Sequence, residues 1–216
     1  MTQLLTQNSK LKKTSKELGK RVFNFGMTAW KTAHGDVVCP YAKDCIQTKT
    51  LDDGKVIQYK CYAQMGMYNF PNVKKAYLWR LEMSKTDEFI DTVIAEIRKK
   101  RVEYLRIHDS GDFYNRTYVN KWITIMNECP DVRFYAYTKS VPLFIKRLDE
   151  LPENFDLIFS DGSTHEHLVD KTIHRFSSVF NTLQDLVKAG YANASELDLF
   201  ATKWFTKNNK IGLIYH

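Results

Sequence analysis

Three of the four cysteines lie close together in the first third of the chain. Five residues separate Cys39 from Cys45, and fifteen more separate Cys45 from Cys61. Thiolates select iron–sulfur clusters, zinc or Cu(I) over harder metals. Three thiolates leave one metal position open, and an open position permits chemistry as well as structural support. The spacing therefore predicts a soft-metal site on Cys39, Cys45 and Cys61.

The composition indicates one globular domain. The chain has 216 residues and 44% hydrophobic content, which is enough for one sizeable core over residues 1–216. Four cysteines do not make a disulfide scaffold, so we expect a reducing, cytoplasmic environment. No apolar run approaches the roughly 18 residues of a membrane span, and the N-terminus is too polar for a secretion signal. We therefore expect no membrane association.

The net charge of +7 is concentrated partly in a basic N-terminal arm, residues 1–20. Lysines at positions 10, 12, 13, 16 and 20 could neutralise the phosphates of a nucleic acid. Charge runs usually do no more than solvate a surface, and we favour that interpretation for the arm. Nucleic acid stays a candidate partner.

Short apolar strands alternate with helices along the chain. The pattern predicts strands at 22–27, 104–108, 132–138, 155–160 and 211–215. Helices are predicted at 87–101, with Thr86 as N-cap, at 118–126 and from 141 to 148. Helix with loops is predicted from the end of the strand at 155–160 to about residue 205. Such alternation favours an α/β fold with four or five mostly parallel strands joined by right-handed crossovers.

Polar residues follow the ends of these strands. His108, Ser110, Gly111 and Asp112 follow the second strand, and Lys139 follows the third. In parallel α/β folds ligands bind at the carboxyl ends of the strands, so these residues and the cysteine loop are expected to share one face. Turn chemistry explains the same residues nearly as well. The fourth cysteine, at 129, precedes the third strand, so we place it at the opposite end of the sheet and outside the metal site.

The order of these features resembles the radical S-adenosylmethionine (SAM) proteins. The resemblance implies a short partial (β/α) barrel, with a [4Fe–4S] cluster on Cys39, Cys45 and Cys61 and SAM on the open iron. Tyr62 stands where that family has an aromatic after the last cysteine. Residues 110–112 stand where the family contacts the methionine amino group, with His108 and Lys139 as outer contacts. The cysteine spacing is longer than the family's, and the acidic residue is Asp instead of Glu.

A closer resemblance, over most of the chain, is to a phage-encoded family called gene product 88. It is carried by Cys39-Pro with Cys45, by Lys60-Cys61-Tyr62-Ala63, and by the strings at 106–113 and 134–140. This resemblance implies a phage or prophage protein working in a bacterial cytosol, with an unknown substrate or host protein as its partner.

Three function hypotheses follow. The first is a SAM-dependent radical enzyme, and the second is a non-catalytic iron–sulfur protein that serves in redox transfer or binds nucleic acid. The third is a zinc-stabilised interaction module, in which His34 or His108 completes the four ligands that structural zinc requires. Metal and sulfide content separates the zinc hypothesis from the other two.

Overall fold

The computed structural model describes residues 3–43, 47–50, 56–59 and 61–214, with 47–50 and 56–59 described by their backbone. The protein is a mixed α/β structure built on an eight-stranded sheet, with a separate two-stranded hairpin. The strands are β1 (Leu5–Thr6), β2 (Val22–Phe25), β3 (Gln47–Thr50), β4 (Val56–Tyr59), β5 (Tyr104–Ile107), β6 (Arg133–Thr138), β7 (Phe155–Ser160), β8 (Phe176–Phe180), β9 (Ala192–Asn193) and β10 (Lys210–Ile214).

Helices connect most of the strands of the large sheet. They are α1 (Ser9–Leu18), α2 (Pro71–Lys85), α3 (Phe89–Lys100), α4 (Arg116–Glu128), α5 (Val141–Phe144) and α6 (Leu183–Lys188). Asparagine side chains begin two of them: Asn8 accepts the Leu11 N–H of α1, and Asn115 accepts the Tyr118 N–H of α4. Both caps satisfy backbone donors that a helix start leaves without an intrahelical partner.

The strand order in the large sheet is β1-β2-β5-β6-β7-β8-β10-β9. From β2 to β9 each pair is parallel, and only the pairing of β1 with β2 is antiparallel among the described strands of this sheet. The prediction of mostly parallel strands is confirmed. The sheet has eight strands instead of the four or five expected, and the predicted partial barrel is not confirmed.

Three local predictions are wrong. Strand β8 lies in the stretch predicted as helix with loops, because Ser177 and Ser178 interrupt the apolar pattern that would mark a strand. Thr86 was predicted as the N-cap of α3, but it is the C-cap of α2. The N-cap position of α3 is occupied by Glu88. The helix expected to reach residue 148 ends at Phe144.

One face of the sheet packs on helices α3 and α4 through large rings. The ring of Phe25 lies 5.6 Å from that of Phe89 and 5.4 Å from that of Trp122, both edge to face. Because side chains alternate along a strand, Leu105 and Ile107 of β5 join the same cluster. This close packing holds the crossover helices firmly behind the strands, so the strand ends keep fixed positions.

The opposite face of the sheet is polar at its centre and is covered by α1 and by the segment from Asp198. The Asp198 carboxylate is fully buried and accepts from Lys10 Nζ at 3.1 Å, Arg106 Nη1 at 3.0 Å and Tyr135 Oη at 2.6 Å. Burial opposes its ionisation, but Arg106 and Lys10 outweigh that cost and lower the pKa of Asp198 to about 2. The sequence segment predicted as a basic arm thus contributes Lys10 to a buried ion cluster.

Replacing Lys10 with Gln is expected to lower the free energy of unfolding by about 1–2 kcal/mol, because the residue loses a charged hydrogen bond to a buried acid. Lys13 is the matched control, since it lies on the same helix and pairs with the exposed Glu196 at 2.6 Å. Lys13→Gln should leave the free energy of unfolding nearly unchanged, because exposed ion pairs contribute little to stability. Urea unfolding of both variants measures the difference, and equal losses would contradict the role assigned to Asp198.

Acid should remove the stabilisation that Asp198 provides. Its pKa falls from 3.8 to about 2 on folding, so the contribution is complete above pH 4 and is lost as the pH falls through the folded pKa. The shift corresponds to about 2 kcal/mol. Urea midpoints of the wild type and Asp198→Asn from pH 5 to pH 2 should converge, and carboxyl NMR titration of the wild type measures the pKa directly. A folded-state pKa near 4 would refute the assignment.

Candidate functional site

A small cavity of about 100 Å³ lies at the carboxyl ends of β5, β6 and β7. We call it the inner cavity. Its lining residues are Ala29, Cys39, Ala42, Cys61, Tyr62, Ala63, Arg106, His108, Ser110, Gly111, Asp112, Tyr137, Thr138, Lys139 and Ser160. The structure thus brings together eight of the nine residues that the sequence singled out for the site. The ninth, Cys45, lies outside the described residues.

The sulfur of Cys39 is held by the backbone of Trp30. The Trp30 N–H donates to Cys39 Sγ at 3.3 Å, and the Trp30 carbonyl accepts from the N–H groups of Val38 and Cys39. Trp30 has a φ of +61°, a left-handed conformation that is uncommon for a bulky residue. Strained backbone of this kind persists where surrounding structure enforces it, often at functional sites.

The chain after Cys39 is anchored to the loop that follows β7. Lys43 donates its N–H to the Gly162 carbonyl at 2.8 Å, and Thr164 donates to the Tyr41 carbonyl at the same distance. A bridge between Ala42 and Ser163 lies between these two bonds. The carboxyl end of the fourth predicted strand, β7, therefore holds the first cysteine at the cavity.

Cys61, the last of the three clustered cysteines in the sequence, also lines the cavity. It is buried and immediately precedes a short 3-10 helix, Tyr62–Gln64, whose Tyr62 hydroxyl donates to the backbone carbonyl of Asp109. This bond ties the loop to the end of β5. Among the described residues, no three His, Cys, Asp or Glu side chains form a metal-binding group. Cys45, the third member of the predicted cysteine set, lies outside the described residues.

His108 is the most unusual residue of the cavity. It is 3% exposed, has a φ of +65° and shares a hydrogen bond of 2.9 Å between Nε2 and the Tyr118 hydroxyl. Its Nδ1 has no hydrogen-bond partner in the described part of the chain. Burial, with the neighbouring charge of Arg106, lowers the pKa of His108 to about 3, so the imidazole is neutral at physiological pH. A buried polar atom without a partner is costly, which makes Nδ1 a candidate ligand contact.

Two further cavity residues carry a buried polar atom without a described partner, namely Arg106 at Nε and Tyr137 at its hydroxyl. The Arg106 guanidinium stacks over the Tyr137 ring at 4.9 Å while its Nη1 pairs with Asp198. Arg106 was not among the residues predicted for the site. Its charge within an otherwise apolar strand could have indicated it, since a charged residue is seldom buried without a partner.

The carboxylate of Asp112 is hydrogen-bonded to other groups of the protein. Its carboxylate accepts from the Phe113 N–H at 2.7 Å, the Thr138 hydroxyl at 2.6 Å and the Lys139 N–H at 2.9 Å. Burial raises its pKa against the effect of these bonds. The geometry gives Asp112 a structural task, joining the turn after β5 to the end of β6. Its predicted contact with a cofactor stays a prediction.

The turn itself requires glycine. Gly111 has a φ of +84°, and a Cβ there would lie 2.7 Å from Cγ of Met27. The Ser110 carbonyl accepts the Met27 N–H at 3.0 Å, which brings the end of β2 against the same turn. Lys139 closes the opposite side, where its Nζ donates to the backbone carbonyl of Asp161. Both Ser110 and Lys139 therefore line the cavity from positions fixed by backbone contacts.

These features define a mixed α/β protein with a mostly parallel sheet, whose strand ends hold a cavity lined by thiols and cationic groups. Residues 3–210 match the family described as "Gene product 88", and the chain belongs to that family. It is 31% identical over 119 residues to the "Gene 88 protein" of Mycobacterium phage L5, which covers 47% of this chain and 50% of that protein.

The "Gene 88 protein" of Mycobacterium phage D29 is also 31% identical over 119 residues, covering 49% of this chain and 48% of that protein. The chain thus spans about half the length of the curated relatives it matches. No solved structure is significantly similar to it. Within the described ranges, no helix combines the length and the apolar character needed to cross a membrane.

Asp112→Ala is expected to lower the free energy of unfolding by about 2–4 kcal/mol, because it leaves three buried donors without an acceptor. Asp131→Ala is the control, since Asp131 is exposed in the turn before β6 and should change stability by under about 0.5 kcal/mol. Urea unfolding measures both variants. A fully stable Asp112→Ala protein would return Asp112 to the list of cofactor contacts.

Proposed function

We propose that the inner cavity holds a [4Fe–4S] cluster on Cys39, Cys45 and Cys61. The observation that supports it is the convergence of Cys39 and Cys61, 22 positions apart in sequence, on one cavity at the carboxyl ends of parallel strands. Cys45 follows Cys39 by six positions and is the third thiol available on the same loop. Thiolates are the ligands that iron–sulfur clusters require.

The charges of the cavity suit this cofactor. Three thiolates make a cluster site anionic, and the cations Arg106 and Lys139 line the same cavity. The backbone N–H that Trp30 directs to Cys39 Sγ is the kind of bond that tunes cluster potentials. When bound, such a cluster supplies one-electron chemistry. Cys39, Cys45 and Cys61 would hold it, and Ser110, Gly111 and His108 of the same cavity would be available to a group bound beside it.

SAM at this fourth position is the finer proposal. The Ser110 and Gly111 backbone and the Nδ1 atom of His108 are the groups available for contact there. Asp112 is less suited to bind an ammonium, since its carboxylate already accepts three bonds from the chain. Anaerobic incubation of the reduced protein with SAM tests the idea by formation of 5′-deoxyadenosine.

We also propose that the protein acts in the cytosol of a phage-infected bacterium.

Zinc is the second candidate, and His108 is the observation that favours it. Its neutral imidazole and unpartnered Nδ1 lie in the same cavity as two of the thiols, so it could complete a Cys₃His site. His34, the other histidine considered, does not line the inner cavity. A zinc-bound protein would be structurally stabilised and would lack the colour and redox activity of a cluster.

Metal analysis of protein purified without oxygen decides between the candidates. We expect about four iron and four sulfide per chain, a brown colour, and loss of both in Cys39→Ala, Cys45→Ala and Cys61→Ala. Cys129→Ala is the matched control and should keep full occupancy, because Cys129 is buried between α4 and β6 at the opposite end of the sheet. Full iron content in Cys61→Ala would refute the ligand set.

His108→Asn separates cluster from zinc. Asn tolerates a positive φ, so this variant keeps the backbone conformation while removing the imidazole. A cluster on three thiolates should survive the change, whereas a Cys₃His zinc site should lose most of its metal. One zinc per chain without sulfide, lost in His108→Asn, would replace the iron–sulfur proposal with the zinc one.

A further inference from the structure

A second, larger cleft of about 550 Å³ opens beside the inner cavity. We call it the outer cleft. The lining residues that bear on its chemistry are Lys31, Gln64, Tyr68, Asn69, Lys74 and Tyr77. Three further lining residues, Ala29, Ala63 and Ser110, also line the inner cavity. Its volume lies in the range typical of small-molecule sites, roughly 300–1,000 Å³.

The walls of the outer cleft are built from the chain's own contacts. A tight turn shapes one wall, in which the Thr32 N–H donates to the Asp36 carbonyl at 2.9 Å and the Thr32 hydroxyl donates to the Asp36 carboxylate at 3.0 Å. Lys85 of α2 pairs with that carboxylate at 3.1 Å. Helix α2 supplies the other wall. The ion pair therefore joins this turn to helix α2.

The charged groups of the outer cleft are cationic. Lys31 and Lys74 line it together with the imidazole of His34, and no Asp or Glu stands among the lining residues that the structure describes. The acids nearby are engaged elsewhere, since Asp36 pairs with Lys85 and the buried Asp109 accepts from the Tyr77 hydroxyl at 3.2 Å. A concave surface lined by cations and free of acids attracts an anion and raises its local concentration.

Aromatic and amide groups accompany these cations. The rings of Tyr68 and Tyr77 lie 5.8 Å apart, edge to face, in the wall of the cleft. Two large exposed rings adjoin lining residues in sequence: Trp30, 42% exposed, and Phe70, 58% exposed. The amides of Gln64 and Asn69 can donate to and accept from a base edge. Cations that meet phosphate beside rings that stack on bases characterise nucleic-acid grooves.

We propose that the outer cleft binds a nucleoside phosphate, either a free nucleotide or one nucleotide of a single strand. Lys31 and Lys74 contact the phosphate, and the tyrosine wall takes the base. The inference goes beyond the cofactor proposed for the inner cavity, because none of the cleft's cations or rings lines that cavity. An acidic peptide would use the cations alone and leave the aromatic wall without a purpose.

Binding of a fluorescein-labelled oligothymidylate of about ten nucleotides, followed by anisotropy at low salt, tests the proposal. We expect Lys74→Gln to weaken binding about fivefold or more and to lower the slope of log affinity against log salt by about 0.7. Lys75→Gln is the matched control, because Lys75 is the next residue of the same helix, is exposed and does not line the cleft. It should change affinity by less than about twofold.

Competition with unlabelled thymidine monophosphate, inorganic phosphate and polyglutamate identifies the ligand chemistry. Competition by the mononucleotide supports a free nucleotide, and binding of the oligonucleotide alone supports a strand. Equal losses in the two lysine variants, equal competition by phosphate or polyglutamate, or no binding by folded wild type would each overturn the proposal. Metal content is measured separately, so nucleotide binding by a metal-free protein would defeat the cluster proposal and leave this one intact.

Discussion

The buried carboxylate of Asp198 is the interaction on which the arrangement of this protein depends. It joins α1 through Lys10, β5 through Arg106 and β6 through Tyr135, so parts of the chain from both ends meet on the central strands. An isolated arginine in such a place would be strongly unfavourable, and removing one partner of a buried pair commonly costs 3–5 kcal/mol. Asp198 thus stabilises Arg106 beside the inner cavity, where the Arg106 Nε has no hydrogen-bond partner among the described residues.

Backbone strain is concentrated at the inner cavity. Among the described residues, three that are not glycine have a positive φ: Trp30, Arg101 and His108. Arg101 ends helix α3, where a left-handed residue is ordinary. The other two adjoin the inner cavity: Trp30 donates its N–H to the Cys39 sulfur, and His108 carries an Nδ1 atom that has no hydrogen-bond partner among the described residues. Two of the three strained residues thus lie at the inner cavity, and backbone strain of this kind is often found at functional sites.

The sequence predicted the strands that carry the site better than the edges of the sheet. Strand β7 begins and ends where expected, because its four apolar or aromatic residues, with the buried Asp156 among them, form a continuous buried run bounded by turns. Strands β1 and β9 have two residues each, too few for any periodic signal. The meeting of the site residues at the carboxyl ends of the strands could be predicted from the parallel topology alone. The outer cleft could not be predicted, because Lys31 and Lys74 are two among 32 basic residues and only the fold brings them together.

The two sites are mechanically joined through the turn after β5. Ser110 lines both, its carbonyl accepts the Met27 N–H, and the adjoining Asp109 carbonyl accepts the Tyr62 hydroxyl. Tyr77, in the wall of the outer cleft, contacts the Asp109 carboxylate, and Gly26 is required there because a Cβ would lie 1.8 Å from Asp109 Oδ1. Asp109 therefore contacts both Tyr77 of the outer cleft and Tyr62 of the inner cavity, the residue that follows Cys61. The turn after β5 is the element that the two sites share, so its conformation fixes the position of one wall of each.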